Sequence, residues 1–216
     1  MPQNLIVTIA RQYGSGGREI GERLAELLGC KTYGNELTAM AAERSNMSED
    51  ALRRADEAAA GSLLYTLAMG SSAFGVHPPV GNYHVPLNDR LFYLQSDIIR
   101  EIAEKEDAVF IGRCADYVLR DHPCRISVFI YADEGCRVRR IMERNGLTEN
   151  KAIDQMNKVD HRRASYYNFY TGQKWGRYEN YTLAVNSSAL GIEDTARMIA
   201  DFALTVKNRM EMEEKK

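Results

Sequence analysis

The sequence predicts an α/β fold in which helices cover both faces of a parallel sheet. Three short apolar runs rich in β-branched residues are typical of strands buried on both faces, at 5–10 (LIVTIA), 108–112 (AVFIG) and 125–132 (RISVFIYA). Segments with helical spacing of apolar residues alternate with these runs. This alternation indicates a three-layer α/β/α architecture.

The remaining elements and the domain organisation follow from the same patterns. Helices are predicted over 18–28, 48–68, 89–105, 137–145, 151–170 and 192–210, and a last short strand over 181–185. The Gly-, Ser- and Pro-rich segment 70–86 is predicted to be a mobile loop. The 216 residues suit a single domain (1–216). Within it, 48–105 is expected to be a helical insertion for acceptor binding or a dimer contact, and 211–216 a disordered tail.

Composition excludes several function classes. A net charge of −2 gives the whole chain no electrostatic footprint for nucleic acid or an anionic membrane. The first apolar run is too short for a membrane span or a signal-peptide core. The four cysteines lack C-x-x-C spacing, and the four histidines lack ligand spacing on a helix face. We therefore expect a cytoplasmic protein that acts on small-molecule substrates and has no protein-bound metal site. A homodimer is compatible with the sequence.

A glycine-rich turn follows the first predicted strand. Gly14, Gly16 and Gly17 lie between that strand and the next helix, within the stretch TIARQYGSGGREIG. Such a turn can form a nest of backbone N–H groups that, with the helix dipole, attracts phosphate. The alternative is a tight turn that needs glycine only for its backbone geometry. The strand–turn–helix context favours phosphate binding.

The complete P-loop pattern G-x-x-x-x-G-K-[ST] is not present. Aligning its second glycine with Gly17 places Arg18 at the lysine and Glu19 at the hydroxyl residue. Aligning it with Gly16 leaves Gly17 at the lysine position, which we expect to be the poorer alignment. Arg18 can still supply charge and a planar set of donors. Mg²⁺ would then be held mainly through nucleotide oxygens and waters, with Glu19 as a further ligand.

Further anion-binding groups follow other strands. Arg113 comes directly after 108–112, and Arg137 and Arg140 share a face of the helix that follows 125–132. Because carboxyl ends of parallel strands meet at one edge of a sheet, we expect these segments to converge with the glycine turn. Asp160 and Arg163 share a helix face, either as a surface ion pair or as ligands for a sugar hydroxyl and a phosphate.

Five blocks in register resemble one family. The blocks TIARQYGSGGREIG, FIGRCADYVL, VFIYADEGCRVRRIMER, DHRRASYY and VNSSALGIED are similar to the cytidylate-kinase-like branch of the nucleoside monophosphate kinases, in the P-loop superfamily. The resemblance covers almost the whole chain. It implies a P-loop kinase fold with helical acceptor and lid insertions, and an ATP- and Mg²⁺-dependent transfer of the γ-phosphoryl group to a nucleoside monophosphate.

The resemblance also implies roles for individual residues. The donor phosphates would be held by Gly14, Ser15, Gly16, Gly17 and Arg18, with Glu19 beside them. Arg137, with Arg140, would close over the transferring group as part of a lid, so that Arg18, Arg137 and Arg140 are the predicted catalytic residues. The predicted acceptor ligands are Arg113 and Arg163 for the phosphate and Asp160 for the ribose hydroxyls.

Departures from the family pattern leave the acceptor open. Cys114 stands where cytidylate kinases keep an aspartate near the base, and Met156 replaces an arginine one turn before Asp160. Two other readings therefore remain: a nucleotide-binding module that has lost turnover, and a kinase of a non-nucleotide metabolite. A purely structural α/β protein would require the arginines to be unrelated surface charges.

Overall fold

The computed structural model describes residues 4–48, 50, 52 and 86–214. Within these ranges five strands and seven helices follow one another along the chain. They are β1 (Ile6–Arg11), α1 (Gly17–Leu28), β2 (Lys31–Tyr33), α2 (Glu36–Ser45), α3 (Leu87–Lys105), β3 (Ala108–Ile111), α4 (Ala115–Val118), β4 (Arg125–Tyr131), α5 (Glu134–Asn145), α6 (Glu149–Thr171), β5 (Leu183–Asn186) and α7 (Ser187–Glu214). A short 3₁₀ turn, Tyr178–Asn180, precedes β5.

The five strands form one parallel sheet in the order β2-β3-β1-β4-β5. β1 lies at the centre, with β3 on one side and β4 on the other. The chain builds β2 and β3 on the first side and then crosses to build β4 and β5, so the winding direction reverses at β1. Ligands of such sheets bind beyond the carboxyl ends of the strands at this reversal. The predicted parallel sheet is confirmed.

Alternate strand residues contribute to two separate cores, because successive side chains of a strand point to opposite faces. In β3, Ala108 and Phe110 pack with α2, α3 and α4, whereas Val109 and Ile111 pack with α1 and α7. Both faces of the sheet are therefore covered by helices. The predicted three-layer α/β/α architecture is confirmed.

The sequence predicted the long elements and missed the short ones. The predicted strands and the helices α1, α3, α5 and α6 lie within three residues of their observed ends. The elements missed are β2, α2 and the one-turn α4. α7 begins at Ser187, kinks at Gly191 (φ 72°) and continues to Glu214, whereas the sequence predicted a helix from 192 and a disordered tail from 211. The helical backbone at 211–214 corrects that expectation.

Part of the predicted insertion lies outside the described residues. The helix predicted over 48–68 and the loop predicted over 70–86 fall mostly there. The described part of 48–105 consists chiefly of α3, which packs on α2 and donates from Gln95 Nε2 to Thr38 Oγ1 at 3.1 Å. Within the described ranges, none of the helices combines the length and the apolar character needed to cross a membrane.

Candidate active site

The turn between β1 and α1 is held in a conformation that strongly favours glycine. Gly14 and Gly16 have φ values of 81° and 76°, and Gly16 is the N-cap of α1. A Cβ on Gly14 would lie 2.8 Å from the carbonyl oxygen of Arg137, and one on Gly16 would lie 2.6 Å from Nη1 of Arg140. The first N–H groups of α1 have no partner inside the helix. The residues that carry these groups, Gly17, Arg18 and Glu19, line a cavity of about 250 Å³ together with the glycine turn.

This geometry reverses the P-loop alignment favoured from sequence. The second glycine of the pattern closes the loop and the next residue opens the helix. Gly16 caps α1 and Gly17 is its first residue, so Gly17 occupies the lysine position. The side chain of Arg18 is 61% exposed and pairs with Glu22 at 2.8 Å. Placing Arg18 at the lysine position was therefore wrong.

The glycine turn is braced by α5 and α6. Arg137 is only 7% exposed. Its Nε donates to the carbonyl oxygen of Tyr13 at 2.8 Å, and its Nη2 pairs with Asp160 Oδ2. Asp160 Oδ1 accepts the N–H of Tyr13 at 2.7 Å. Arg137 and Asp160 thus fix the backbone of the turn, which differs from the lid position and the ribose contact that the resemblance implies for them.

Two further contacts tie the turn to its neighbours. Ser187 Oγ, at the start of α7, donates to the carbonyl oxygen of Ser15 at 2.7 Å. Arg140 Nη1 lies against Gly16 and pairs with Glu19 Oε2 at 2.6 Å. Arg140 therefore lies at the turn, as predicted, and the carboxylate of Glu19 is held by a cation.

Arg11, which the sequence analysis did not select, is the cation at the centre of the site. It ends β1 and is partly buried, with its guanidinium so close to Gly112 that a Cβ there would lie 3.4 Å from Cζ and closer still to Nη1. Arg163 Nη1 donates to the carbonyl oxygen of Arg11 at 2.7 Å. Burial, together with the charges of Arg163 and Arg113, lowers the pKa of Arg11 well below its usual value. The only signal in the sequence that could have led to Arg11 was the absence of the P-loop lysine, which indicates that another cation is needed.

A strained segment follows β3. Gly112, Arg113 and Cys114 have consecutive positive φ values of 80°, 60° and 53°. Non-glycine residues in this region cost about 1–3 kcal/mol each and are concentrated at functional sites. Here the turn leaves Cys114 buried and brings Arg113 to the wall of a second cavity.

The second cavity, of about 330 Å³, adjoins the glycine-turn cavity. Both are lined by Arg11 and Arg163, together with Asn35 and Ile111. The remaining walls combine cations, a carboxylate and aromatic rings: Arg113, Arg162, Asp116, Tyr166, Tyr167 and Trp175. We call this space the acceptor cavity.

Asp116 is the carboxylate of the acceptor cavity and was also missed from sequence. It is 7% exposed and accepts a hydrogen bond from the hydroxyl of Tyr167 at 2.7 Å. Burial raises the pKa of Asp116, although the Tyr167 hydrogen bond opposes this. Burial and the neighbouring Asp116 charge raise the pKa of Tyr167. Asp116 stands two residues after Cys114, so the block FIGRCADYVL carried a carboxylate at a shifted position.

A third cavity, of about 340 Å³, lies beside the same turn. It shares Gly14 with the glycine-turn cavity. The start of α7 contributes Ser187 and Ser188 to its wall, and α5 contributes Arg139 and Arg140. The site therefore has three adjoining spaces around one turn.

The carboxylates around the glycine turn are already engaged. Glu19 pairs with Arg140 and Glu22 with Arg18, while Glu36 accepts the N–H of Gly34 at 2.9 Å. Among the described residues there is no group of three or more His, Cys, Asp or Glu side chains able to hold a metal ion. These residues fit a Mg²⁺ ion that arrives with a nucleotide and keeps phosphate and water ligands.

Comparison with known proteins identifies the family. The model of the cytidylate kinase-like family matches residues 6–189. The chain belongs to the cytidylate kinase-like family. A search of curated proteins gave no match.

Solved structures confirm the fold of this cytidylate kinase-like chain. An uncharacterized protein from Eubacterium ventriosum ATCC 27560 is 28% identical, with a TM-score of 0.67, over 93% of this chain and 98% of that one. Two kinases share the architecture at lower identity. A shikimate kinase from Bacteroides thetaiotaomicron is 14% identical, with a TM-score of 0.51, over 92% of this chain and 97% of that one. A gluconokinase from Sinorhizobium meliloti 1021 is 15% identical, with a TM-score of 0.51, over 98% of each chain. The fold is that of the P-loop kinases, which in general use ATP and Mg²⁺.

In the cytidylate kinase-like chain the predicted site residues meet at one edge of the sheet. The end of β1 and the glycine turn are contacted by Arg137, Arg140, Asp160 and Arg163, and Arg113 lies at the end of the neighbouring β3. Arg18 belongs to the same edge, but its guanidinium is directed to Glu22. Family and fold together support a phosphotransferase.

Proposed function

We propose that this chain transfers the γ-phosphoryl group of ATP to the phosphate of a nucleoside monophosphate. The observation that carries the proposal is the pair of adjoining cavities that share Arg11 and Arg163. One is lined by the glycine turn and suits a polyphosphate. The other combines cations, a buried carboxylate and aromatic rings, as a nucleotide acceptor requires.

The donor is expected to bind around the glycine turn. Orphan N–H groups at the start of α1 suit phosphate oxygens because they need acceptors and lie at the positive end of the helix dipole. The third cavity, which shares Gly14 with this one, has room for the nucleoside part of ATP between the Ser187 and Arg139 sides. This assigns the donor's two parts to neighbouring spaces.

The acceptor cavity fits a nucleoside monophosphate better than a small hydroxy acid or sugar. Arg113, Arg162 and Arg163 can neutralise a phosphate dianion. The rings of Tyr166 and Trp175 offer flat apolar surface for a base. Asp116 can accept a hydrogen bond from an amino or imino group of the base, a group that shikimate and gluconate lack. The combination therefore favours a nucleotide.

For phosphoryl transfer the chain has to position the two substrates and compensate their negative charge. An oxygen of the acceptor phosphate forms a bond to the γ-phosphorus while the bond to the β–γ bridging oxygen breaks, and the electron pair stays on ADP. Mg²⁺, when bound with the nucleotide, supplies charge neutralisation at the donor phosphates. Arg163 and Arg113 hold the acceptor phosphate in line. Arg140, held at the turn by Glu19, lies beside the donor phosphates.

An acceptor panel tests the proposal directly. The purified 216-residue chain is incubated with ATP, Mg²⁺ and one acceptor at a time: the common ribo- and deoxyribonucleoside monophosphates, shikimate, gluconate, or none. ADP release is followed by a coupled assay. We expect at least one nucleoside monophosphate to raise ADP release at least tenfold above the rate without acceptor, a threshold that corresponds to about 1.4 kcal/mol of transition-state stabilisation.

Two outcomes would contradict the proposal. ADP release that responds to shikimate or gluconate alone would indicate a metabolite kinase. Calorimetric ATP binding without turnover of any acceptor would indicate a binding module. Arg209→Ala serves as the matched control, because that arginine is 81% exposed near the end of α7 and its loss should leave the rates unchanged.

A further inference from the structure

The glycine turn lacks the lysine of the P-loop pattern, and the structure shows which residue lies at the lysine position. With Gly16 as the N-cap of α1, the pattern G-x-x-x-x-G-K runs from residue 11 to residue 17. Arg11 therefore occupies the first glycine position and Gly17 the lysine position. An arginine and a glycine have exchanged places relative to the pattern.

The two exchanged residues are in contact, and each determines what the other can be. A Cβ on Gly17 would lie 2.5 Å from the Cβ of Arg11 and 2.9 Å from its Cγ. Any side chain at position 17 would therefore clash with Arg11 in its present conformation. The stem of Arg11 fills the space at the start of α1 that a side chain at 17 would otherwise enter.

Arg11 lies between the two substrate spaces. It lines both the glycine-turn cavity and the acceptor cavity, and its guanidinium lies against Gly112. The backbone of Arg11 is held from the acceptor side, because Arg163 Nη1 donates to its carbonyl oxygen at 2.7 Å. A group passing from one cavity to the other would therefore pass Arg11.

The charge of Arg11 calls for an anion. Among the described residues, no carboxylate forms a hydrogen bond or an ion pair with it, and the positive charges of Arg163, Arg113 and Arg18 act on it. A partly buried cation among like charges is unfavourable without a compensating anion. Arg18, in contrast, is already paired with Glu22. The phosphates of two bound nucleotides would supply the missing negative charge.

We infer that Arg11 replaces the P-loop lysine and contacts the phosphoryl group during its transfer. This role rests on the proposed phosphoryl transfer. The guanidinium neutralises charge on the non-bridging oxygens of the γ-phosphoryl group, and it neither gives nor takes a proton. Its planar donors can reach an oxygen on the donor side and one on the acceptor side at the same time. The lysine function has thus moved from the start of the helix to the end of β1.

A reciprocal exchange tests this directly. Four variants are compared with the wild type: Arg11→Met, which keeps the apolar stem without charge; Arg11→Gly; Gly17→Lys; and the double variant R11G/G17K, which restores the order of the P-loop pattern. Circular dichroism and thermal melting check folding. The readouts are kcat with the acceptor found in the panel, and calorimetric affinity for a non-hydrolysable ATP analogue and for ADP.

The expected pattern is strongly non-additive. Arg11→Met and Arg11→Gly should lower kcat by about 10²–10³-fold. They should weaken the ATP analogue about tenfold more than ADP, because Arg11 lies toward the terminal phosphate. Gly17→Lys alone should lower melting temperature and activity, because its side chain meets Arg11. The double variant should regain at least about tenfold in kcat over Arg11→Gly, a difference of about 1.4 kcal/mol.

Other results separate the failure of Arg11 from the failure of the proposed function. A folded Arg11→Met that keeps kcat within about threefold of an active wild type overturns the inference and leaves the phosphotransfer intact. A double variant no better than Arg11→Gly also overturns it. If the wild type turns over no acceptor, the proposed function fails, and the affinity for the ATP analogue then tests Arg11. An affinity that falls in Arg11→Met and recovers in the double variant supports Arg11 as the replacement for the lysine. An affinity that does not change overturns that role.

Discussion

The donor and acceptor sides of the site manage positive charge in opposite ways. On the donor side three arginines are paired with acids: Arg18 with Glu22, Arg140 with Glu19 and Arg137 with Asp160. On the acceptor side, Arg163 Nη1 lies 4.0 Å from Asp160 Oδ1, and Arg11 has no acidic partner among the described residues. Burial lowers the pKa of both Arg11 and Arg163.

This difference indicates which part of each side binds phosphate. Where the cations are neutralised, backbone N–H groups and the dipole of α1 remain to bind the donor. On the acceptor side, where Arg11 has no acidic partner among the described residues, we expect the side chain itself to bind the anion. Donor-side arginines therefore support structure first, whereas acceptor-side arginines sacrifice stability for function. The two sides should respond differently to loss of an arginine.

The largest effect on activity is expected on the acceptor side. Arg163→Met should lower kcat/KM for the acceptor by about 10²–10³-fold, because a phosphate ligand is lost. The melting temperature should change little, since the lost hydrogen bond to the carbonyl oxygen of Arg11 is offset by relief of repulsion between Arg163 and Arg11. Steady-state kinetics and thermal melting measure both effects. A large fall in melting temperature with full activity would reverse the comparison.

The donor side should show the opposite order. Arg137→Ala removes the hydrogen bond to Tyr13 and leaves the carboxylate of Asp160, 17% exposed, without its cation. We expect a loss of about 3 kcal/mol in the free energy of unfolding, or about 6–12 °C in melting temperature. Activity should fall as well, because the glycine turn loses its brace.

A double variant separates the two consequences of losing Arg137. In R137A/D160N the stranded charge is gone, while an amide oxygen can still accept the N–H of Tyr13. Most of the loss in melting temperature should be recovered. The kcat should stay low, because the carbonyl oxygen of Tyr13 still lacks the hydrogen bond from Arg137. Recovery of both would show that the stranded charge alone caused the defect. Recovery of neither would show that Arg137 acts through contacts other than Asp160.

The fold was largely predictable because its signals are local. Buried strands such as β1 are apolar, β-branched runs, and Gly29 ends α1 in the left-handed conformation that its position suggests. The elements that were missed lack such a signal. β2 has three residues, none of them fully buried, and so no continuous apolar run. α2 has a weaker separation of polar and apolar faces than α1.

The site was predictable only where it is local. The glycine turn is a short motif, and its place after β1 followed from sequence. The brace from Asp160 to Tyr13 joins residues 147 positions apart, and nothing in the sequence near either residue indicates it. The alignment error at Gly17 had the same cause, since only the contact between Arg11 and Gly17 shows why a glycine belongs there. Asp116 was missed because the family pattern drew attention to Cys114.

The smallest effect is expected at Arg18, the residue that the sequence placed at the lysine position. Its side chain is 61% exposed and hydrogen-bonded to Glu22, and pairs of this kind contribute about 0–1 kcal/mol. Arg18→Ala should therefore lower kcat/KM by less than about threefold in the same assay as the Arg11 variants. Glu22→Gln is the matched control, because it frees Arg18 from its partner and should change the affinity for the ATP analogue little. A loss in Arg18→Ala as large as that of Arg11→Met, with a gain in affinity in Glu22→Gln, would make Arg18 the phosphate-binding cation and place the uncompensated charge on the donor side.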